Sequence, residues 1–230
     1  GTRLISHNVI AGDTVVGKGN TLYPFASLGL PCQHKRNKAT DLKLRIGDEN
    51  VFREHFTAHT GSDVDQKITT IGSRNWFLVG SHVAHDCIVG NDIVMSNNAT
   101  LAGHVHVGNK AIIGGLSAVL QFTHIGEGAM IGGMAGIARD VIPYGLVMGG
   151  GRSVLSGLNL VGLQRAGIEK EKIISLQKAY KILFNHEDTR LFAERLSEVE
   201  QSADYQNNEL VRTVVDFVKN PSKNNILQPA

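Results

Sequence analysis

Cysteine is nearly missing from this chain, with only Cys32 and Cys87 in 230 residues. That excludes a disulfide-stapled scaffold and a cysteine knuckle for metal, and it suits a reducing compartment, so a cytoplasmic location is expected. Long apolar runs are missing too. None approaches the eighteen or so residues needed to cross a bilayer, and no charged-then-apolar leader opens the chain, so no stable membrane insertion is expected. Charge of one sign is also lacking: 23 Lys and Arg against 21 Asp and Glu leave a formal net charge of +2, too little to imply a nucleic-acid partner.

What the chain has in abundance is a six-residue period. Twelve consecutive hexads begin on an apolar residue: Ile71, Phe77, Val83, Val89, Met95, Leu101, Val107, Ile113, Val119, Ile125, Ile131 and Ile137. Four residues after each anchor lies a second register that is small or β-branched, as at Ser81, Cys87, Ala99 and Val105, with Asn75 and Ile93 as the exceptions. That second residue precedes the next anchor by two, so both point to one face of a short strand, and a corner must follow within each unit. Three hexads make one triangular turn, and the turns stack about 4.8 Å apart as a parallel β-helix. The 26 glycines fit the need for corners.

The period also runs through Leu4, Ile10, Val16, Leu22 and Leu28, then resumes at Ile46, Phe52 and Ala58. The chain is already in phase at Leu4, which is compatible with a solenoid that lacks earlier coils. Residues 30–45 and 61–70 are polar, charged and out of phase, which predicts loops leaving the solenoid. Near Gly149, Gly150 and Gly151 the period changes. Beyond them Ile173, Leu176, Tyr180 and Leu183 recur at helical spacing, as do Leu191, Ala193, Leu196 and Val199, and then Leu210, Val214, Phe217 and Val218. Asn207 or Asn208 is placed to cap the third helix, and Pro221 to close it. The organisation expected is a solenoid over 1–148 and a helical domain over 152–230.

The chemistry concentrates around His82, His85, Asp86 and Cys87. Positions eighteen apart stack, so His85 lies under Gly103, next to His104, with Gln121 one coil higher. An imidazole, a bare glycine backbone, a second imidazole and an amide on successive rungs supply a base, an unobstructed N–H and polar anchors, as acyl transfer to a hydroxyl requires. Asp86 is placed to orient His85. Zinc held by His82, His85, His104 and His106 is the alternative, but no cysteine or carboxylate cluster repeats at matching spacing, so no metal is expected. His7, His55, His59, His124 and His186 are read as structural or surface residues. The first loop carries His34, Lys35, Arg36, Lys38, Lys43 and Arg45, a solvated face or a contact for phosphates or an acidic protein, and Arg152 and Arg165 extend it. A non-catalytic solenoid would need neither His85 nor Gly103, and the threonine rows of an ice-binding face are absent.

The segments SHVAHDCIVGN and NNATLAGHVHVGN, together with IGDENVFREHFTAHTGS, Gln121 and Phe122, RDVIPY at 139–144 and LNLVGLQRAG at 158–167, resemble the UDP-N-acetylglucosamine O-acyltransferases that start lipid A synthesis. The resemblance covers nearly the whole chain. It implies an all-β left-handed parallel β-helix (hexapeptide solenoid) with a C-terminal α-helical domain, assembled as a homotrimer. It further implies transfer of an (R)-3-hydroxyacyl chain from acyl carrier protein to the glucosamine 3-hydroxyl of a UDP-sugar, with no cofactor. On that resemblance His85 is the general base, Asp86 its orienting partner and Gly103 the oxyanion donor. His82, His104, Gln121 and Gln33 line the substrate, Asn159 and Arg165 contact the nucleotide, and Gly133 is the acyl-chain ruler, its lack of a side chain implying a longer chain. Three positions depart from the family pattern. His34 stands where an Asp is usual, Leu120 where a His is usual, and Val161 and Ala166 replace an acidic and a basic residue. The change at His34 makes N-acylation of a UDP-amino sugar the runner-up.

Overall fold

In the computed structural model, which describes residues 1–150 and 153–229, the hexads close into a triangular prism. Three sheets form its faces, built from nine, seven and six strands that are parallel except for one returning strand at the end of the first. Most strands are only two residues long because a corner interrupts each hexad. The residue three after each anchor takes the corner's left-handed backbone, as at Arg74, Asp86, Asp92, Asn98, His104, Lys110, Leu116, Phe122 and Met134. Neighbouring strands pair eighteen residues apart, Val83 with Leu101 and Leu101 with Val119, as the stacking rule requires.

Both registers point inward. All twelve anchors are buried, and so are Ser81, Cys87, Ala99, Val105 and the other members of the second column. Burial pushes the Cys87 thiol up to about 12, which leaves it a packing residue rather than a nucleophile. Upstream, Leu22, Leu28, Ile46, Phe52 and Ala58 join the same core, whereas Leu4 and Ile10 are 51% and 43% exposed on the first coil. The two exceptions in the second column have a physical reason. Asn20, Asn50 and Asn75 are stacked and buried, and each side-chain oxygen accepts a backbone N–H from the coil above: Asn50 at 2.8 Å, Asn75 at 2.9 Å and Ile93 at 2.8 Å. The amides of Asn50 and Asn75 also donate to carbonyls of the next coil, so burial leaves none of them unsatisfied. Above Ile93 the column turns apolar and continues as Ala111 and Ala129.

Both loops are shorter than the charge pattern suggests. Lys43–Ile46 and Ile68–Ile71 are paired strands of the third sheet, so only 31–42 and 61–67 leave the coil. Their polar outward residues hid strand positions. The boundary expected at 148 also falls inside the sheet, because Leu155–Leu158 returns antiparallel against Gly145–Val147. A strand that runs back has no six-residue repeat to betray it. Gly151 and Arg152 lie outside the described residues.

Helices α1 (Leu160–Arg165), α2 (Lys170–Leu183), α3 (Phe192–Glu200), α4 (Ala203–Asn207) and α5 (Glu209–Lys219) follow. The three periodic segments are α2, α3 and α5, and Asn208 caps α5 by accepting from the Leu210 N–H. After α5 the chain straps back onto the prism. Ser222 donates twice to the buried Asp140 carboxylate, and Asn224 donates to the Gln121 carbonyl at 2.7 Å.

Candidate active site

The corner between the second and third sheets gathers His85, Gly103 and Gln121 on successive coils, under the first loop. They line one cavity of about 560 Å³; its walls are Gln33, His34, His82, Ala84, His85, Gly103 and Gln121, with Lys35 and Arg36 at the loop side. His85 is buried beside it. Its Nδ1 lies 2.9 Å from Asp86 Oδ2, so Nδ1 carries the proton and Nε2 keeps its lone pair. Asp86 is held in turn: the Ser62 N–H donates at 3.0 Å, the Ser62 hydroxyl donates to Oδ2, and the Asp86 N–H donates to Thr69 Oγ1 at 2.9 Å. Burial works to raise the Asp86 pKa, but the bonds from His85 and Ser62 outweigh it and hold the carboxyl below its ordinary value.

The His85 ring lies against the next coil at a point where only glycine fits. A Cβ on Gly103 would come within 2.4 Å of His85 Cε1 and 2.6 Å of Nε2. Among the described residues nothing accepts from the Gly103 N–H, while the neighbouring His104 N–H donates to the His85 carbonyl at 2.9 Å.

His82 shares a hydrogen bond of 2.7 Å between Nδ1 and Thr57 Oγ1 and packs edge-on against His59. Burial, helped by His59, lowers its pKa to about 4, so His82 is neutral at physiological pH. His59, read from sequence as merely structural, is thus part of the same histidine cluster. His34 packs edge-on to His85, with ring centroids 5.7 Å apart, and its buried Nδ1 has no partner among the described residues.

Several expected site residues sit elsewhere. His104 does not line the cavity. It lies behind His85, buried between Phe122, whose ring stacks on it at 4.3 Å, and Asp65, whose Oδ2 is 2.7 Å from its Nδ1. Asn159 and Arg165 line a separate, largely apolar cavity of about 570 Å³ with Ile112, Met130, Tyr144 and Leu146. The Asn159 side chain is already committed, accepting from Gly162 N at 3.0 Å to cap α1 and donating to the Gly128 carbonyl at 3.1 Å. Gly133 stands at the next corner over, stacked on Gly115. The outward face of the second sheet, with the small residues Thr100, Ala118 and Gly136, separates it from His85. Sequence reasoning missed Ser62 and Asp65, because a loop out of phase with the coil gives no register from which to place its side chains, and Thr69, because its strand reads as part of that loop.

Comparison with known proteins decides the family. Across all 229 aligned residues, covering 100% of this chain and 85% of the relative, the sequence is 51% identical to the acyl-[acyl-carrier-protein]–UDP-N-acetylglucosamine O-acyltransferase of Caulobacter vibrioides. The chain belongs to the UDP-N-acetylglucosamine O-acyltransferase family. The family's second-domain model matches residues 140–227. A relative of the same name from Thermodesulfovibrio yellowstonii is 50% identical over 184 residues, covering 80% of this chain and 71% of that one. Among solved structures, the Francisella novicida UDP-N-acetylglucosamine acyltransferase superposes with a TM-score of 0.93 at 30% identity, covering 99% of this chain and 81% of that one. The Arabidopsis enzyme gives 0.88 at 34% identity, over 95% and 77%. This acyltransferase therefore has the all-β left-handed parallel β-helix with a small C-terminal helical part.

Proposed function

We propose that this acyltransferase moves an (R)-3-hydroxyacyl chain from the thioester of acyl carrier protein to the 3-hydroxyl of UDP-N-acetylglucosamine, with His85 as general base. The observation that carries the proposal is His85 itself: a ring fixed through Nδ1 by a buried carboxylate, with Nε2 beside an unclaimed backbone N–H. As the sugar hydroxyl attacks the thioester carbonyl, His85 Nε2 takes its proton and the Gly103 N–H faces the developing oxyanion. When the carbon–sulfur bond breaks, the same nitrogen returns the proton to the departing thiolate. The neutral His82 offers a hydrogen bond for the sugar, and His34 lines the same cavity. Lys35 and Arg36 suit the phosphates or an acidic carrier protein. No cofactor enters this scheme.

The same reading includes a homotrimer. The outward side of the first sheet presents Val51, Trp76, Val94, Ile112, Met130 and Leu146 in one column, with Trp76 52% exposed. Such an apolar stripe fits a partner prism, and the cavity of Asn159 and Arg165 opens on the same face, so a neighbouring copy would bring it to another copy's base. A solution mass near one chain, 24.8 kDa, would rule the trimer out.

The test is a product mass from acyl carrier protein thioesters offered UDP-N-acetylglucosamine and a UDP-amino sugar side by side. An ester on the first supports the proposal, and an amide on the second alone replaces it with N-acylation. His85→Ala should lower kcat by about 10² to 10⁴ while leaving substrate affinity within a few-fold, and Asp86→Asn should cost less. Retained turnover in His85→Ala would remove the base assignment.

A further inference from the structure

The geometry points to Asp65 as a positioning residue that keeps His104 from competing with His85 for the Asp86 carboxylate. This rests on the base reading of His85. Two imidazole Nδ1 atoms aim at one oxygen: His85 at 2.9 Å and His104 at 3.9 Å from Asp86 Oδ2. The two rings stand edge to face, 5.0 Å between centroids and 89° between planes. Asp65 Oδ2, at 2.7 Å, captures the His104 Nδ1–H, so His104 must carry its proton on that nitrogen and direct it away from Asp86. Phe122 stacks on the His104 face at 4.3 Å, and the Lys223 ammonium sits 3.0 Å from the centre of the Phe122 ring. The stack limits ring tilt, which leaves rotation toward Asp86 as the motion open to His104 once Asp65 is gone.

The consequence is electrostatic. Asp86 strengthens His85 as a base only while its negative charge is concentrated on the His85 Nδ1–H. A second imidazole N–H on Asp86 Oδ2, which already accepts from the Ser62 N–H and hydroxyl, would share that charge further and weaken the base. Asp65 comes from the 61–67 loop, as does Ser62. One short excursion from the coil thus supplies both the donor that holds Asp86 and the acceptor that protects it. The loop is tied where it starts, because the Gly61 N–H donates to the Lys43 carbonyl at 3.1 Å, and a side chain on Gly61 would run into the Ile68 backbone.

Three forms of the enzyme test this: Asp65→Ala, His104→Phe and the double variant. Phenylalanine keeps a ring for the Phe122 stack and has no N–H to donate. Asp65→Ala should lower kcat by about tenfold with KM within about twofold, since base strength and not binding is affected. In the His104→Phe background the same substitution should change kcat by less than about twofold. Nitrogen-15 histidine spectra give a readout independent of turnover: the His85 Nδ1–H resonance should move in Asp65→Ala and stay in place when His104→Phe is also present. An equal loss in both backgrounds, an unchanged kcat in Asp65→Ala, or an unmoved His85 resonance would each overturn the assignment. Failure of the base reading is separate, because it shows as retained turnover in His85→Ala.

Discussion

Gly103→Ala isolates the space above the His85 ring from the hydrogen bond beside it. Alanine keeps the backbone N–H, and Gly103 is not among the glycines with left-handed backbone, so the substitution brings no conformational penalty. What it adds is one methyl group, 2.4 Å from His85 Cε1 and 2.6 Å from Nε2. Carbon atoms settle at about 3.5–4.0 Å, so the ring must withdraw by about 1 Å. It cannot do so and keep its 2.9 Å bond to Asp86, whose carboxylate is held by two donors from Ser62. A misplacement of about 1 Å at a reacting group costs on the order of 10² in rate. The expected result is kcat down about 100-fold, with acceptor KM changed little and melting temperature lowered by no more than a few degrees. Steady-state kinetics with an acyl carrier protein thioester, paired with thermal melts, make the measurement. A Gly103→Ala enzyme with kcat within threefold of the parent would refute the reasoning, since the ring would then have room that the geometry denies it.

Ile113→Asp buries a carboxylate among Met95, Ile131 and the coil backbone. The cost is several kcal/mol against a total stability of about 5–15 kcal/mol, so soluble, cooperatively melting protein is not expected in a denaturant titration. Gly133→Met should shorten the preferred acyl chain, because each excluded methylene forfeits about 0.8 kcal/mol. Gly133 is exposed and its Cβ position is only 3.2 Å from the Gly115 carbonyl oxygen, so the new side chain is directed outward. Competition among thioesters of different length reads the result, and an unchanged preference removes Gly133 from that role. Stability should fall as pH drops from about 6.5 to about 4. In that window the unfolded chain protonates His82 while burial keeps the folded His82 neutral, a loss of at most about 3 kcal/mol. Urea midpoints at pH 7.5 and 5 should converge in His82→Gln; a slope unchanged by that substitution would place the dependence elsewhere.

The coil was legible because its geometry is a period. A hexad anchor such as Val83 or Leu101 needs only its own residue and the count of six to be placed, and the same count put His85 beneath Gly103 and Gln121 above both. The count also carried its own limit. It could not report Leu155–Leu158, which runs against the coil, or the strands Ile68–Ile71 and Lys43–Ile46, whose polar outer residues read as loop. Stacking likewise set His104 beside the site, but whether its ring faced the cavity or Asp65 depended on a loop with no register. Asn75 read as an exception in an apolar column because its justification is a hydrogen bond to a different coil, thirty or fewer residues away and invisible to any periodicity.

The amide column has a consequence for how the site keeps its tolerance. In a solenoid each rung touches only its neighbours, so small misalignments between rungs accumulate along the axis instead of averaging out. The rungs most exposed to this are the lower ones, because the 31–42 and 61–67 excursions interrupt their repeat, and those excursions deliver His34, Ser62 and Asp65 to the surroundings of His85 and Asp86. Asn20, Asn50 and Asn75 bracket both excursions. Each amide accepts one particular N–H from the rung above, and a slip by a single residue would leave it orphaned in the core. The column thus acts as a gauge block, resetting alignment at every interrupted rung, and it gives way to alanine above Ile93, where the repeat is unbroken and no resetting is required.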